Sequence, residues 1–410
     1  MEKAQTAQPM ATSLELDAAD PLAPFRDRFA GVGDMTIPAY LDGNSLGRPL
    51  KASLQRMQSF IQDQWGGRLI RGWDESWLAL PEQIGNELGK TVLGAADGQT
   101  IVADSTSVLL YKLVRAAVAA RPERREIVID RDNFPTDRFI VEGIASELGM
   151  SVRWVEAGFD GGVTASALGA VVGSRTSLVV LSHVAYRSGH LADMEQLTAL
   201  VHQAGALMLW DLCHSVGAVP IDLDACGVDL AVGCTYKYLN GGPGAPAFAY
   251  VNDKHHDLLR QPIHGWLGSQ DPFGMGEGYV PASGIRGFAS GTPPIMGMLC
   301  MQDMIELIGL AGMEAVREKS IRLTEYAIAL VDERLTPIGA SLSSPRDQQL
   351  RGSHITVDHP SFEAITARLW KQGIIPDFRK PTGIRLGLSP LSTSFTEVER
   401  GIDAIAAQLA

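Results

Sequence analysis

Between residues 98 and 252 short, almost unbroken apolar runs alternate with helical stretches, and this limits the possible folds more than any other feature. The runs read QTIVADS (99–105), EIVIDRDNF (126–134), SVRWVEA (151–157), SLVVLSHV (177–184), LMLWDLC (207–213), LAVGCTY (230–236) and APAFAYV (245–251). Strands without polar alternation are covered on both faces, as in parallel sheets. Helical patterns lie between most of them, among them VLLYKLVRAAVAAR (108–121) and DMEQLTALVHQAG (193–205). Alternating β and α elements predict an α/β domain with helices on both faces of the sheet. Only KYLNGGPG (237–244) joins the last two runs. That is too short for a helical crossover, so one of these strands runs antiparallel to its neighbours.

From about residue 295 the pattern changes to a long helical region (295–335), short strands near SHITVDHP (353–360) and GIRLGLSP (383–390), and a final helix (396–409). This predicts a smaller α+β domain. The expected division of the 410 residues is a flexible arm over 1–20, an N-terminal segment over 21–60 that packs on the small domain, a large domain over 61–295 and a small one over 296–410.

The formal charge of −12 argues against nucleic acid as a partner, because such binders carry a basic face. No apolar run approaches the ~20 residues that span a membrane, and the polar N-terminus lacks a secretion pattern. Four cysteines without a CxxC pair are too few for a disulfide scaffold. Together these features predict a cytoplasmic protein with neither a membrane nor a nucleic acid as partner.

Two apparent motifs fail. GNELGKT (85–91) has three residues between its glycines where a phosphate-binding loop has four, and it lies in a helical pattern. His255-His256 has no nearby ligand-spaced partner and reads as a solvated loop pair, so no metal site is expected.

The segment 211–251 carries the chemistry. LMLW ends at Asp211 and LAVGC runs into Thr235-Tyr236-Lys237. Sites in open α/β sheets form at the carboxyl ends of strands, which places Asp211 and Lys237 at one edge. Gly241, Gly242 and Gly244 keep bulk away from the lysine. Singly, Asp211 reads as a helix cap and Lys237 as a surface lysine. Together they suit pyridoxal 5'-phosphate (PLP), which needs a Schiff-base lysine and an acidic partner for its ring nitrogen.

DLCHSVGAVPIDL (211–223) and YKYLNGGPGAPAF (236–248) resemble the kynureninase family, PLP-dependent hydrolases of the fold-type-I, class V aminotransferase-like group. The likeness extends to YLDGNSLGRPL (40–50), WGGRLIRGW (65–73), ADSTSV (103–108), DNFPTDRF (132–139), HGWLGSQDPFGM (264–275), GIRGFASGTPPI (284–295) and IRLGLSPL (384–391). It implies a mostly parallel seven-stranded sheet with helices on both faces, plus the smaller domain. Lys237, Tyr236 and Asp211 are the implied catalytic residues. Thr106 and Ser107 would meet the cofactor phosphate, although they also read as plain helix-capping residues. Phe134 would stack on the ring, with Asp137 and His214 nearby. Trp266 and Thr292 would reach the phosphate from a second subunit, which implies a homodimer. Arg385 would pair with the substrate carboxylate, as guanidinium geometry suits, and Ser45 and Trp73 are implied substrate contacts.

The resemblance implies hydrolysis of L-kynurenine, or a ring-substituted relative such as 3-hydroxykynurenine, to anthranilate and L-alanine, in tryptophan catabolism and NAD biosynthesis. Another class V activity, such as an aminotransferase, epimerase or desulfurase, is the alternative. The chain departs from the family at Val108-Leu109, at Ser269 and at Ser392-Thr393-Ser394. These departures bear on the pocket for the aryl group and leave the cofactor residues unaffected.

Overall fold

The computed structural model describes residues 11–274 and 276–409. In chain order the strands are β1 (Ala39–Tyr40), β2 (Thr100–Ala103), β3 (Glu126–Asp130), β4 (Ser151–Val155), β5 (Thr176–Ser182), β6 (Leu207–Asp211), β7 (Leu230–Cys234) and β8 (Ala247–Val251). They continue with β9 (Ser341–Leu342), β10 (His354–Asp358), β11 (Ile374–Ile375), β12 (Asp377–Arg379) and β13 (Gly383–Gly387).

A seven-stranded sheet runs in the order β2-β8-β7-β6-β5-β3-β4. Only β8 is antiparallel to its neighbours, as the short 237–244 connection requires. Successive residues alternate between two apolar layers. Met208 and Trp210 of β6 join one core cluster, while Leu207 and Leu209 join the other. Each strand therefore reads as uniformly apolar although its side chains still point to opposite faces.

A third core holds the small antiparallel sheet β12-β13-β10-β9 together with the helix Phe395–Leu409. Ala39 and Leu41 belong to it, and β1 pairs with β11. Leu22, Phe29 and Leu50 instead join a core of the large sheet. The N-terminal segment thus bridges the two bodies. Helix Ile295–Ala311 also packs into the large sheet's core through Met298, Met301, Met304 and Ile308, so the smaller core begins beyond the predicted boundary at 295/296. The reason is Gly312, whose φ of +80° breaks the long helical region and turns the next helix by 89°. Because of that bend, no single helix among the described residues is long and apolar enough to cross a membrane.

Of the arm expected over 1–20, residues 1–10 lie outside the described residues. From Thr12 the chain is tied down rather than flexible. Thr12 and Glu15 form a capping box on helix Ser13–Ala18, and Asp17 accepts hydrogen bonds from the first amides of helix Phe395–Leu409. His255 is also not solvated. Its Nε2 lies 2.7 Å from Asp229 Oδ1, and His202 meets the other oxygen of that buried carboxylate. These contacts precede β7, at the sheet end opposite Lys237.

Candidate active site

Because β2, β3, β5, β6 and β7 run the same way, their carboxyl ends form one edge. Ser105, Thr106 and Ser107 follow β2. Asn133, Phe134 and Asp137 follow β3, and Ser182 and His183 close β5. Asp211 ends β6 with His214 just beyond, and Tyr236 and Lys237 follow β7.

Lys237 is buried, with Nζ 3.2 Å from His214 Nε2 and 5.9 Å from the centre of the Phe134 ring. Burial first, then the charges of Lys237 and Arg385, hold His214 neutral, well below its usual range. Its Nε2 can therefore accept a proton-bearing nitrogen. Asp211 is buried, and its Oδ1 accepts the amide of Cys213 at 2.8 Å. Asp137 lies in the first turn of helix Pro135–Leu148. Burial, and then the nearby Asp211 carboxylate, push its carboxyl well up, and its Oδ2 has no hydrogen-bond partner. Two buried carboxylates this close disfavour a second negative charge. Burial likewise raises the half-buried Tyr236 hydroxyl, with the Cys234 thiol next.

The loop Leu41–Arg48 closes the site from above. Gly47 N donates to the Tyr236 carbonyl at 2.9 Å, and Gly387 N donates to the Leu41 carbonyl at 2.7 Å. A Cβ on Gly47 would sit 2.4 Å from the Lys237 carbonyl oxygen. Gly47→Ala is therefore expected to shift the lysine loop and lower kcat/KM roughly 100-fold, measurable beside a cofactor spectrum that reports occupancy.

Across this loop, Arg385 in β13 is fully buried. Nη2 donates to Ser45 Oγ at 2.8 Å, Nη1 donates to the Tyr186 carbonyl at 2.6 Å, and Nη1 lies 3.4 Å from His214 Nε2. The structure thus brings Ser45 and Arg385 into the cluster of Lys237, His214, Asp211, Asp137, Tyr236 and Phe134.

Thr106 and Ser107 are the first residues of helix Thr106–Ala119, whose cap is Ser105. Amides at a helix start have no intrahelical acceptor, so this end of the edge suits an anion. Trp73, Trp266 and Thr292 are not among the residues touching Lys237. Trp73 packs edge-on to Trp77 and lines an aromatic cavity of about 360 Å³ with Phe60, Trp65 and Thr292. Trp266, 36 % exposed, borders a separate open groove with His264 and Tyr279.

Sequence reasoning missed Tyr186, whose ring stands edge-on to Phe134 at 5.5 Å. It also missed His354, a buried imidazole 5.7 Å from the His214 ring, and the charged pair Asp377 and Arg379. Tyr186 lies in SHVAYRSGH, just past β5, where the strand-end rule could have found it. The others sit in the small sheet, and no local spacing marks them.

His183 is buried with Nδ1 unpartnered, edge-on to Trp210 at 5.8 Å. Burial, with a smaller push from Arg317, depresses its imidazole to about 3. The unfolded chain takes up this proton below about pH 6.5 while the folded chain does not, so stability falls as pH falls. Relative to His183→Gln, the wild type should lose up to ~1.4 kcal/mol per pH unit below that point in guanidinium unfolding curves.

The residues present fit PLP. A buried amine faces an aromatic ring, the Asp211 and Asp137 carboxyls are buried at the same sheet edge, Asp137 Oδ2 is left unpartnered, and a helix start lies there too.

A family profile described as the kynureninase C-terminal domain matches residues 316–405. A kynureninase of Pseudomonas fluorescens is 43 % identical over 392 residues, covering 94 % of this chain and 92 % of that protein. One from Burkholderia pseudomallei (strain 1106a) is 40 % identical over 403 residues, covering 96 % and 94 %. Among solved structures, a C-DES variant with glycine covalently linked to its PLP cofactor superposes with a TM-score of 0.82 at 17 % identity, covering 93 % of this chain and 98 % of that one. The apo cysteine desulfurase of Thermococcus onnurineus NA1 gives 0.77 at 17 % identity, covering 98 % and 99 %. These two show the fold, that of the fold-type-I PLP enzymes. With kynureninases matching along nearly its whole length, the chain belongs to the kynureninase family of PLP-dependent enzymes.

Proposed function

We propose that this chain hydrolyses L-kynurenine, or a ring-substituted kynurenine such as 3-hydroxykynurenine, to anthranilate or its analogue and L-alanine, as a step of tryptophan catabolism. The observation that carries this reading is the match to kynureninases over about 95 % of the chain, together with Lys237, Asp211 and Arg385 converging on one site.

PLP, when bound, supplies an electron sink for the substrate carbon. The chain's own residues do the rest. Lys237 Nζ would hold the cofactor and would take the proton from the substrate α-carbon. Neutral His214, 3.2 Å away, accepts from that amine and fixes its direction. Asp211, with Asp137 beside it, would pair with the cofactor's ring nitrogen and favour its protonated form. Thr106 and Ser107 hold the phosphate, and Phe134 packs against the ring. The Tyr236 hydroxyl, which carries its proton at neutral pH, would donate to the departing carbon, a contribution of ~10²–10⁴-fold. Arg385 and Ser45 take the substrate carboxylate.

Trp266 and Thr292 act from the partner subunit of a cytoplasmic homodimer, and Trp73 contacts the substrate. Exposed apolar side chains beside them, Trp65, Ile70 and Met296, support such an interface. The same reading includes a contribution to NAD biosynthesis, and two bodies meeting at the Leu41–Arg48 loop as the working domains.

The test is incubation of purified, PLP-loaded protein with kynurenine and with 3-hydroxykynurenine, following aromatic product fluorescence and alanine. Equimolar anthranilate and alanine without a keto acid are expected. A keto acid without alanine would instead establish an aminotransferase.

A further inference from the structure

The arginine assigned to the substrate carboxylate already holds an internal one. Arg385 Nη2 lies 2.7 Å from Asp377 Oδ2, and the same oxygen lies 2.6 Å from Arg379 Nε. With the Asn44 amide oriented to satisfy both its ends, its oxygen accepts from Arg385 Nε at 3.0 Å. Together with Ser45 Oγ and the Tyr186 carbonyl, every nitrogen of this fully buried guanidinium has a neighbour. A substrate carboxylate cannot simply add to it.

The Asp377 contacts are nevertheless poorly directed. Neither Asp377 Oδ2 nor Arg379 Nε has a partner in hydrogen-bonding alignment. A carboxylate matched to a guanidinium takes two parallel N–H bonds, whereas Asp377 offers one oxygen to two cations. The contact is held by charge alone, and a ligand offering both charge and the fork geometry can replace it.

We propose that Asp377 is an internal competitor for the substrate carboxylate: it occupies the Arg385 carboxylate seat in the free enzyme and yields it to the substrate while remaining paired with Arg379. This rests on the reading of Arg385 as the substrate-carboxylate residue. Pairing of β12 with β13 sets Asp377 opposite Arg385, so the backbone keeps the internal carboxylate in reach. Arg379 follows on the same strand face with a side chain 31 % exposed, and its Nη2 approaches Ser45 Oγ at 3.5 Å. It has room to carry the Asp377 carboxylate aside. Asp42 stands close by, its carboxyl pushed up to about 6 by burial and then by Asp377. The Arg385 guanidinium already carries one carboxylate, so a substrate carboxylate reaches it only if Asp377 gives way.

Every carboxylate ligand bears that displacement, but only a ligand with an aryl ketone has contacts elsewhere to offset it. Simple amino acids, including the product L-alanine, do not. Asp377 thereby weakens substrate and product by one common factor, so L-alanine, which has no aryl contacts, is left weakly held and is released readily.

The test titrates PLP-loaded enzyme with L-alanine and, as a probe lacking a carboxylate, ethylamine, read by the change in cofactor absorbance. Asp377→Asn should bind L-alanine about tenfold or more tightly, with ethylamine unchanged within about twofold. Arg379→Gln leaves Asp377 to Arg385 alone and should weaken L-alanine binding. Unchanged or weaker L-alanine binding in a stably folded Asp377→Asn protein overturns the proposal. If that variant does not fold, Arg379→Gln decides, and undiminished L-alanine affinity there overturns it equally. Equal affinity of the Asp377→Asn protein for L-alanine and ethylamine, with the seat vacated, would overturn the Arg385 assignment itself, and the proposal with it.

Discussion

Lys237→Ala is expected to abolish the lysine-bound cofactor absorbance and to lower turnover by at least about 10⁴-fold. The size follows from position. The amine is buried at a strand end, its near neighbours are a neutral imidazole and an aromatic ring, and burial and adjacent cations keep His214 from taking on a charge. Cofactor binding and kynurenine turnover, measured on the same preparation, separate loss of the covalent link from loss of the proton shuttle. Turnover that persists without an added amine would remove Lys237 from both roles.

Arg385→Lys should raise KM roughly 30-fold, because a charge-assisted contact worth about 2 kcal/mol loses its fork. Cofactor affinity should stay near that of the wild type. Lysine is the informative replacement because Arg385→Ala would leave Asp377 and Asp42 short of a counter-charge. Breaking a buried pair in that way costs about 3–5 kcal/mol of stability, and a folding loss would then mask the binding effect. Comparing KM for kynurenine with the thermal unfolding midpoint of each variant distinguishes the two. A KM unchanged in Arg385→Lys would exclude a carboxylate role for this residue.

The sheet was legible because both of its faces are covered. Burial on both sides makes β3, β5, β6 and β7 unbroken apolar runs, and the short stretch 237–244 between the last two runs sufficed to predict the antiparallel β8. Strand ends then located Asp211 and Lys237 without any knowledge of side-chain positions. Helix Ile295–Ala311 was harder to assign. Its apolar side chains fit either core, and only the break at Gly312 decides that it packs on the large sheet. His255 misled for a similar reason, since its partner Asp229 becomes its neighbour only when β7 and β8 pair.

By itself the sequence determined the α/β layering, the edge where chemistry occurs, and the lysine and aspartate at that edge, because strand periodicity and strand termini are local properties of the chain. Tertiary structure alone decided what surrounds them. It stitched the Leu41–Arg48 loop between Tyr236 and Gly387, set Arg385 against His214, and placed Asp377 in contact with Arg385. Those contacts join segments far apart in the chain, and their electrostatics depend on how deeply each charge is buried and which charges surround it. No local pattern encodes either quantity.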